Sequence, residues 1–280
     1  MIKDLEGTAN YISNWIKERA QIANAQALIV GISGGVDSAL VAALCNRTGL
    51  PTVGVMMPCH SSQSSINRGR EVIAKFKLIS HQVNLDSAFE SIERHVASDL
   101  NDKYESSFQS KDAQGALRSC LRAPTLDFVG KVYKGIVVGT GNRDEDEVTR
   151  YFQKRGDGCV DISPIAKLHK SEVYELSKYL EVPQSVLEAT PTADLWGPNS
   201  DQTDESQLGM SYKEVEWGIR TADSVGGTRR GHFEKAVLGA DLTQRQLEIL
   251  NTLGKMEEMS RHKENPSLPV CDVRLSHLVG

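Results

Sequence analysis

Gly31-Ile-Ser-Gly-Gly-Val-Asp-Ser38, the octapeptide GISGGVDS, lies between the apolar run 27–30 and the small apolar stretch 39–44. That order predicts a strand, a glycine turn and a helix. Gly34 and Gly35 allow successive backbone N–H groups to converge on an anion, and the helix N-terminus adds its positive end. Ser33 and Ser38 offer hydroxyl donors to phosphate oxygens. The turn has no lysine, so it is not a GxxxxGK[ST] phosphate loop. Asp37 is the odd member, because a bare carboxylate repels phosphate. The conflict disappears if Asp37 holds Mg²⁺, whose hard charge prefers carboxylate and phosphate oxygens. A cradle of this kind suits enzymes that cut ATP between the α and β phosphates, where the ion neutralises the departing pyrophosphate.

Outward from the turn, strands are expected over 27–31, 52–57, 78–83 and 134–140. They alternate with helices over 37–46, 66–76, 86–100 and 113–132, behind a leading amphipathic helix over 4–23. Pro124 is expected to kink or interrupt the fourth of these. Alternation of this kind predicts an α/β fold, a doubly wound parallel sheet with flanking helices. Ligands then sit beyond the carboxyl ends of the strands. Both GISGGVDS and Gly139-Thr-Gly-Asn142 fall at such ends. Further on, helices are expected over 170–180, 183–187 and 244–261. The polar segments 193–207 and 221–231 read as loops and candidate lids.

A chain of 280 residues suffices for one large α/β domain or two small ones. A net charge of −5 supplies no global basic field, which argues against a nucleic-acid partner. Five cysteines, at 45, 59, 120, 159 and 271, form no CxxC pair, so neither a zinc site nor a thiol redox motif is indicated. Their scatter fits reduced thiols in a cytosol. No signal peptide shows, and no run approaches the roughly 18 apolar residues of a membrane helix. A soluble cytoplasmic protein is expected.

SGGxDS after the first strand resembles the PP-loop of the N-type ATP pyrophosphatases, whose fold is adenine nucleotide alpha hydrolase-like. The series that follows is more selective. Val138-Gly-Thr-Gly-Asn142, Gly156-Asp-Gly158, Asp161-Ile-Ser-Pro-Ile165, Lys167-Leu-His-Lys170, Pro191-Thr-Ala-Asp-Leu195, Gln202-Thr-Asp-Glu205, Leu208-Gly209 and Tyr212 resemble the NAD synthetases from residue 27 to about 265. The resemblance implies one NAD synthetase domain over 1–280, with an ATP-binding core over about 25–195 and mobile loops with C-terminal helices beyond. It implies ATP-dependent amidation of deamido-NAD to NAD through an NAD-adenylate, with release of AMP and pyrophosphate. Some members carry an N-terminal glutaminase domain. A PP-loop beginning at residue 31 leaves no room for one, so ammonia, free or supplied by a partner, is the expected donor. The family resemblance also implies Mg²⁺, ATP as co-substrate and a homodimer.

Residue by residue, the resemblance matches Gly31, Ile32, Ser33, Gly34, Gly35, Val36, Asp37 and Ser38 to the ATP pyrophosphate loop. Thr140, Lys170 and Thr192 match ATP contacts. Arg118, Arg122, Lys154, Asp161, His262 and Lys263 match the deamido-NAD site. Asp37, Ser33 and Asp161 are the expected catalytic positions. Asp37 and Glu145 match the metal carboxylates, although one extra residue before Tyr151-Phe152 leaves Asp146 or Glu147 open. Taken alone, the run Asp144-Glu-Asp-Glu147 reads as a solvated helix face.

Two positions depart from the family pattern. Its helix before GTG carries two arginines spaced two apart, whereas Cys120 stands at the first of them here. Arg122 keeps the second, and Arg118 is expected to replace part of the missing charge. Met56-Met57 stand where many stand-alone members have an arginine, and MPCHSS is closer to the glutamine-using form. Two readings compete with the amide-forming ligase. A PP-loop tRNA thiolase needs catalytic cysteines and a basic RNA surface. A simple nucleotide-binding module gives no purpose to the second carboxylate.

Overall fold

The computed structural model describes residues 2–99, 110–192, 195, 203–226, 232–238, 241–264 and 270–271. Helix α1 (Leu5–Ile22) begins where the Asp4 carboxylate accepts the Gly7 N–H at 2.8 Å. Four parallel strands follow: β1 (Leu28–Gly31), β2 (Thr52–Met56), β3 (Ile79–Gln82) and β4 (Ile136–Val137). Their spatial order is β3-β2-β1-β4, and β1 sets Leu28 opposite both Thr52 and Ile136. The chain steps outward from β1 to β3, then returns to lay β4 on the other side of β1. That reversal creates a switch point beyond the carboxyl ends of β1 and β4.

Side chains alternate across β1, so Leu28 and Val30 enter one core while Ile29 enters another. The first core is filled by α1, α2 (Val36–Arg47), α3 (Gln63–Phe76), α6 (Lys170–Tyr179) and α7 (Gln184–Leu187). The second takes α4 (Asp86–Asp99) and α5 (Lys111–Tyr133). A third core gathers α8 (Asp204–Leu208), α9 (Tyr212–Ser224), α10 (His232–Leu238) and α11 (Gln244–Ser260) around Val215, Ile219, Leu250 and Leu253. No helix among the described residues is long and apolar enough to cross a membrane.

Several expectations are corrected. Helix α5 runs through Pro124 without interruption. A proline costs a helix interior about 3 kcal/mol. Leu117, Leu121, Leu126 and Val129 pack on the second core and offset that cost. Strand β4 is shorter than 134–140: Val138 N–H still donates to Ile29 O at 2.8 Å, but Val138 also bridges Ile162 and Gly139 N–H turns to Ile162 O. Within 193–207, residues from Asp204 onward are helical: the Thr203 hydroxyl accepts the Ser206 N–H, and Leu208 is buried. Residues 193–194 and 196–202 lie outside the described residues. The stretch 221–224 belongs to α9, and 227–231 also lies outside the described residues.

Candidate active site

The glycine turn after β1 is shaped by its neighbours. Gly34 has φ +84°, and a Cβ there would lie 2.3 Å from the Ser65 carbonyl oxygen. The turn is stitched internally. Gly35 N–H donates to Ser33 Oγ at 3.2 Å, Ser38 Oγ donates to Gly35 O at 3.0 Å, and the two hydroxyls stand 3.1 Å apart. Behind it, Arg68 of α3 donates Nε–H to Gly34 O and a terminal N–H to Ser65 Oγ, both at 3.0 Å. This fixed positive charge under the phosphate loop has no counterpart in the sequence reading.

Asp37 opens the helix after the turn. Its Oδ1 accepts from the Asn142 carboxamide at 2.9 Å and its Oδ2 from Lys170 Nζ at 2.6 Å. The same ammonium lies 2.9 Å from Glu145 Oε1. Tyr212 Oη stands 2.6 Å from Glu145 Oε1 and 3.1 Å from Asp204 Oδ2, so one proton serves two carboxylates. Burial pushes the Asp37 carboxyl up, and Lys170 only partly reverses that. Burial also raises Glu145, but Lys170 and the tyrosine hydroxyl outweigh it and hold Glu145 low. Lys170 itself stays charged: burial disfavours the ammonium, but the two carboxylates outweigh it.

The segment that delivers Glu145 is a π-helix over Asp144–Thr149. Wider turns of this type absorb one additional residue and recur at functional sites, which accounts for the extra residue before Tyr151. Asp144 is only 1% exposed, contrary to a solvated face. Its Oδ1 meets His169 Nδ1 at 2.6 Å and its Oδ2 accepts the Lys170 N–H at 2.8 Å, at the positive end of α6. This buried contact sets Lys170 against Glu145. Glu147 is drawn away by Arg143 at 2.7 Å and Lys167 at 3.3 Å, so it does not join the pair. Asp146 lies against Gly141, where a Cβ would come within 2.0 Å of its carboxylate. Burial, with Glu145 and Asp157 nearby, pushes its carboxyl well up.

Two adjoining hollows share Ser33, Ser65, Arg122, Thr140 and Asp157. One is walled by Ile32, Met56, Met57, Leu126, Val138 and Val160. The other holds the glycine turn, Glu145, Asp146, Lys170 and Thr192. Gly31 lines the first, and Val36 and Ser38 line the second. The ATP positions named from sequence therefore converge on one crevice.

The remaining expected positions do not all join them. Arg118 is 7% exposed and lines neither hollow. Its guanidinium stacks 4.7 Å from the Phe89 ring centroid and donates to the Leu195 carbonyl. Asp161 is exposed and accepts the Val137 N–H at 2.7 Å, outside the crevice. Lys154, His262 and Lys263 meet one another at the end of α11. Lys154 Nζ donates to His262 O at 2.8 Å, and Lys263 Nζ to Phe152 O at 2.7 Å. Phe152 lines the polar hollow, which places this trio at its rim.

Asp204 gives a pH-dependent expectation. Burial and then Glu145 raise its carboxyl to about 6 from the ordinary 3.8. A raised acid favours the fold below its unfolded pKa, and that advantage is lost as pH rises through about 6. Asp204→Asn should therefore stabilise the protein by roughly 2 kcal/mol at pH 8 and by little at pH 4. Urea unfolding at the two pH values checks this, and equal effects at both would refute it.

The profile of the NAD synthase family matches residues 8–266, over this same crevice. The chain belongs to the NAD synthase family. It is 32% identical over 260 residues to the NH3-dependent NAD(+) synthetase of Carboxydothermus hydrogenoformans, covering 92% of this chain and 94% of the relative. To the enzyme of the same description from Alkaliphilus metalliredigens it is 40% identical over 207 residues, 72% of this chain and 81% of the relative. The structure of NMN synthetase from Francisella tularensis superposes with a TM-score of 0.75 at 29% identity, covering 95% of this chain and 98% of that one. The NH3-dependent NAD synthetase of Campylobacter jejuni shares the fold, with a TM-score of 0.70 at 19% identity over 95% and 98% of the two chains. NAD synthases are ATP-binding PP-loop ligases of NAD biosynthesis. The parallel sheet with flanking helices is the fold expected of a PP-loop enzyme.

Proposed function

We propose that this chain makes an amide from the nicotinate carboxylate of deamido-NAD, using ATP, with free ammonia as nitrogen donor. The observation that carries the reading is Lys170 held between Asp37 and Glu145 at the switch point, with the glycine turn on the same crevice. Asp37 and Glu145 offer two hard carboxylates that suit Mg²⁺, and the Asn142 carboxamide N–H orients the first of them. When bound, the ion supplies charge neutralisation to the departing pyrophosphate. The turn N–H groups and Arg68 hold the phosphates, while the apolar hollow of Met56, Met57 and Val160 takes the adenine ring. The nicotinate carboxylate oxygen attacks the α-phosphorus and the bond to pyrophosphate breaks. Ammonia then attacks the acyl carbon, AMP leaves with the bonding electrons, and a proton is lost from nitrogen.

Asp161, Lys154, His262 and Lys263 lie at the rim or beyond it within one chain, which fits a nucleotide site completed in a homodimer. Phe128 and Val132 of α5, 72% and 65% exposed, suit such an interface. Free thiols at all five cysteines suit a cytoplasmic location.

A second reading has specific support: the acid substrate is the mononucleotide, nicotinate mononucleotide. Cys120 removes one cation expected on the dinucleotide phosphates, and Arg118 is engaged by Phe89 and Leu195. The Francisella tularensis neighbour is described as an NMN synthetase. One assay separates these readings. Pyrophosphate and AMP should appear only with ATP, ammonium and a nicotinate nucleotide together. Turnover with deamido-NAD supports the first reading, and turnover confined to the mononucleotide supports the second. Turnover with neither rejects both, and a requirement for glutamine rejects free ammonia as donor.

A further inference from the structure

Lys170 matches a nucleotide contact by sequence, yet its ammonium is fully engaged by other groups. It is 4% exposed, lies 2.6 Å from Asp37 Oδ2 and 2.9 Å from Glu145 Oε1, and stands 4.7 Å from the Tyr212 ring centroid. Two carboxylates packed this closely repel each other and are costly to bury without a positive charge. An ammonium satisfies that demand, and so does a divalent ion on the same oxygens. Both cannot hold those oxygens at once.

We propose that Lys170 is a tethered counter-ion that keeps the divalent-cation site closed until nucleotide phosphates draw it away, so that cation and nucleotide bind as one linked event. The proposal rests on the reading of Asp37 and Glu145 as the cation carboxylates. The glycine turn supports it independently. Ser38 Oγ accepts the Ser33 N–H at 3.3 Å and the two serine hydroxyls pair, so the phosphate cradle is also satisfied from within. Lys170 and this turn line the same hollow, which gives the ammonium an alternative anion once phosphates arrive. The backbone of Lys170 is pinned through Asp144, so the exchange needs only side-chain rotation. By linkage, whatever moves the ammonium raises cation affinity, and the cation raises nucleotide affinity by the same factor.

Mn²⁺ is the probe, with binding to nucleotide-free protein followed by the electron paramagnetic resonance of the free ion. Lys170→Met should bind Mn²⁺ about tenfold or more tighter than wild type. Lys170→Gln, which keeps a donor but no charge, should show the same gain and guards against a folding defect in the first variant. Lys170→Arg, which keeps a cation on both oxygens, should bind no tighter than wild type. A lysine that only balances buried charge predicts the same gain on neutralisation but no dependence of the wild-type protein's Mn²⁺ affinity on nucleotide. Unchanged or weaker Mn²⁺ binding by the folded neutral variants overturns the proposal. So does wild-type protein whose own Mn²⁺ affinity, after subtraction of the ion bound by the nucleotide in protein-free controls, is the same with and without α,β-methylene-ATP. Adding Glu145→Gln to Lys170→Met should abolish the gain, and a gain that persists overturns the assignment of the carboxylates. The expected Mn²⁺ pattern in a protein that amidates no nicotinate nucleotide would leave the linkage standing and reject the function alone.

Discussion

Asp37→Asn should lower kcat/KM for nucleotide-dependent pyrophosphate release by roughly 10³-fold, the scale on which loss of one preorganised electrostatic partner is felt. Asparagine keeps one oxygen, enough for either Asn142 or Lys170, and carries no charge for a cation. Glu145 alone remains to face the departing pyrophosphate. The fold should survive. The native carboxyl is raised by burial, so neutralising it removes a desolvation cost, while Lys170 keeps Glu145 as its partner. The unfolding free energy should change by no more than about 1 kcal/mol. Coupled-enzyme measurement of pyrophosphate, paired with thermal unfolding, separates these effects. A loss of activity below tenfold would reject the role of Asp37 at the reacting phosphates.

Gly34→Ala should act on both stability and turnover. The left-handed backbone at φ +84° costs an L-residue roughly 1–2 kcal/mol. The added methyl would also meet the Ser65 carbonyl at 2.3 Å, which is main chain in the first turn of α3 and cannot rotate aside. Relief requires the turn to move off α3, which breaks the Arg68 contact to Gly34 O and reorients the N–H groups that cradle phosphate. A destabilisation of roughly 3 kcal/mol and a hundredfold weaker ATP affinity are expected. Calorimetric titration with ATP measures the second. Gly49→Ala is the control, because Gly49 has φ +76° with no atom within 4 Å of the added methyl. It should lose stability but not ATP affinity.

The half of the site carried by β1 was open to inspection in the sequence because its determinants are local. Apolar alternation places Leu28, Ile29 and Val30, and Gly34 and Asp37 follow within one turn. Thr140 and Glu145 were reachable because a second strand ends at the same switch point. The Asp144–His169 contact was not. It joins residues 25 positions apart, and an isolated acidic run carries no sign of which member is buried. The fate of Arg118 was hidden for the same reason, since Phe89 and Leu195 approach from distant segments. Helix α9, by contrast, carries a local signal in its sequence. Ser211 and Glu214 form a reciprocal cap, with contacts of 2.8 and 3.3 Å, ahead of Val215, Ile219 and Ala222 at helical spacing. The polar run before it obscured the onset of a third core.

That third core gives the π-helix a wider importance. Asp144 is fastened to the first turn of α6, while Val148, four residues later, is sealed among the C-terminal helices. Glu145 sits on the short leaf between these two anchorages. Displacement of the C-terminal helices relative to the sheet would therefore bear on Glu145, which Tyr212 of α9 also holds. Substitutions on the outer side of α11, remote from any phosphate, should reset catalytic timing by tilting that leaf, which makes a distant surface a place where turnover can be tuned.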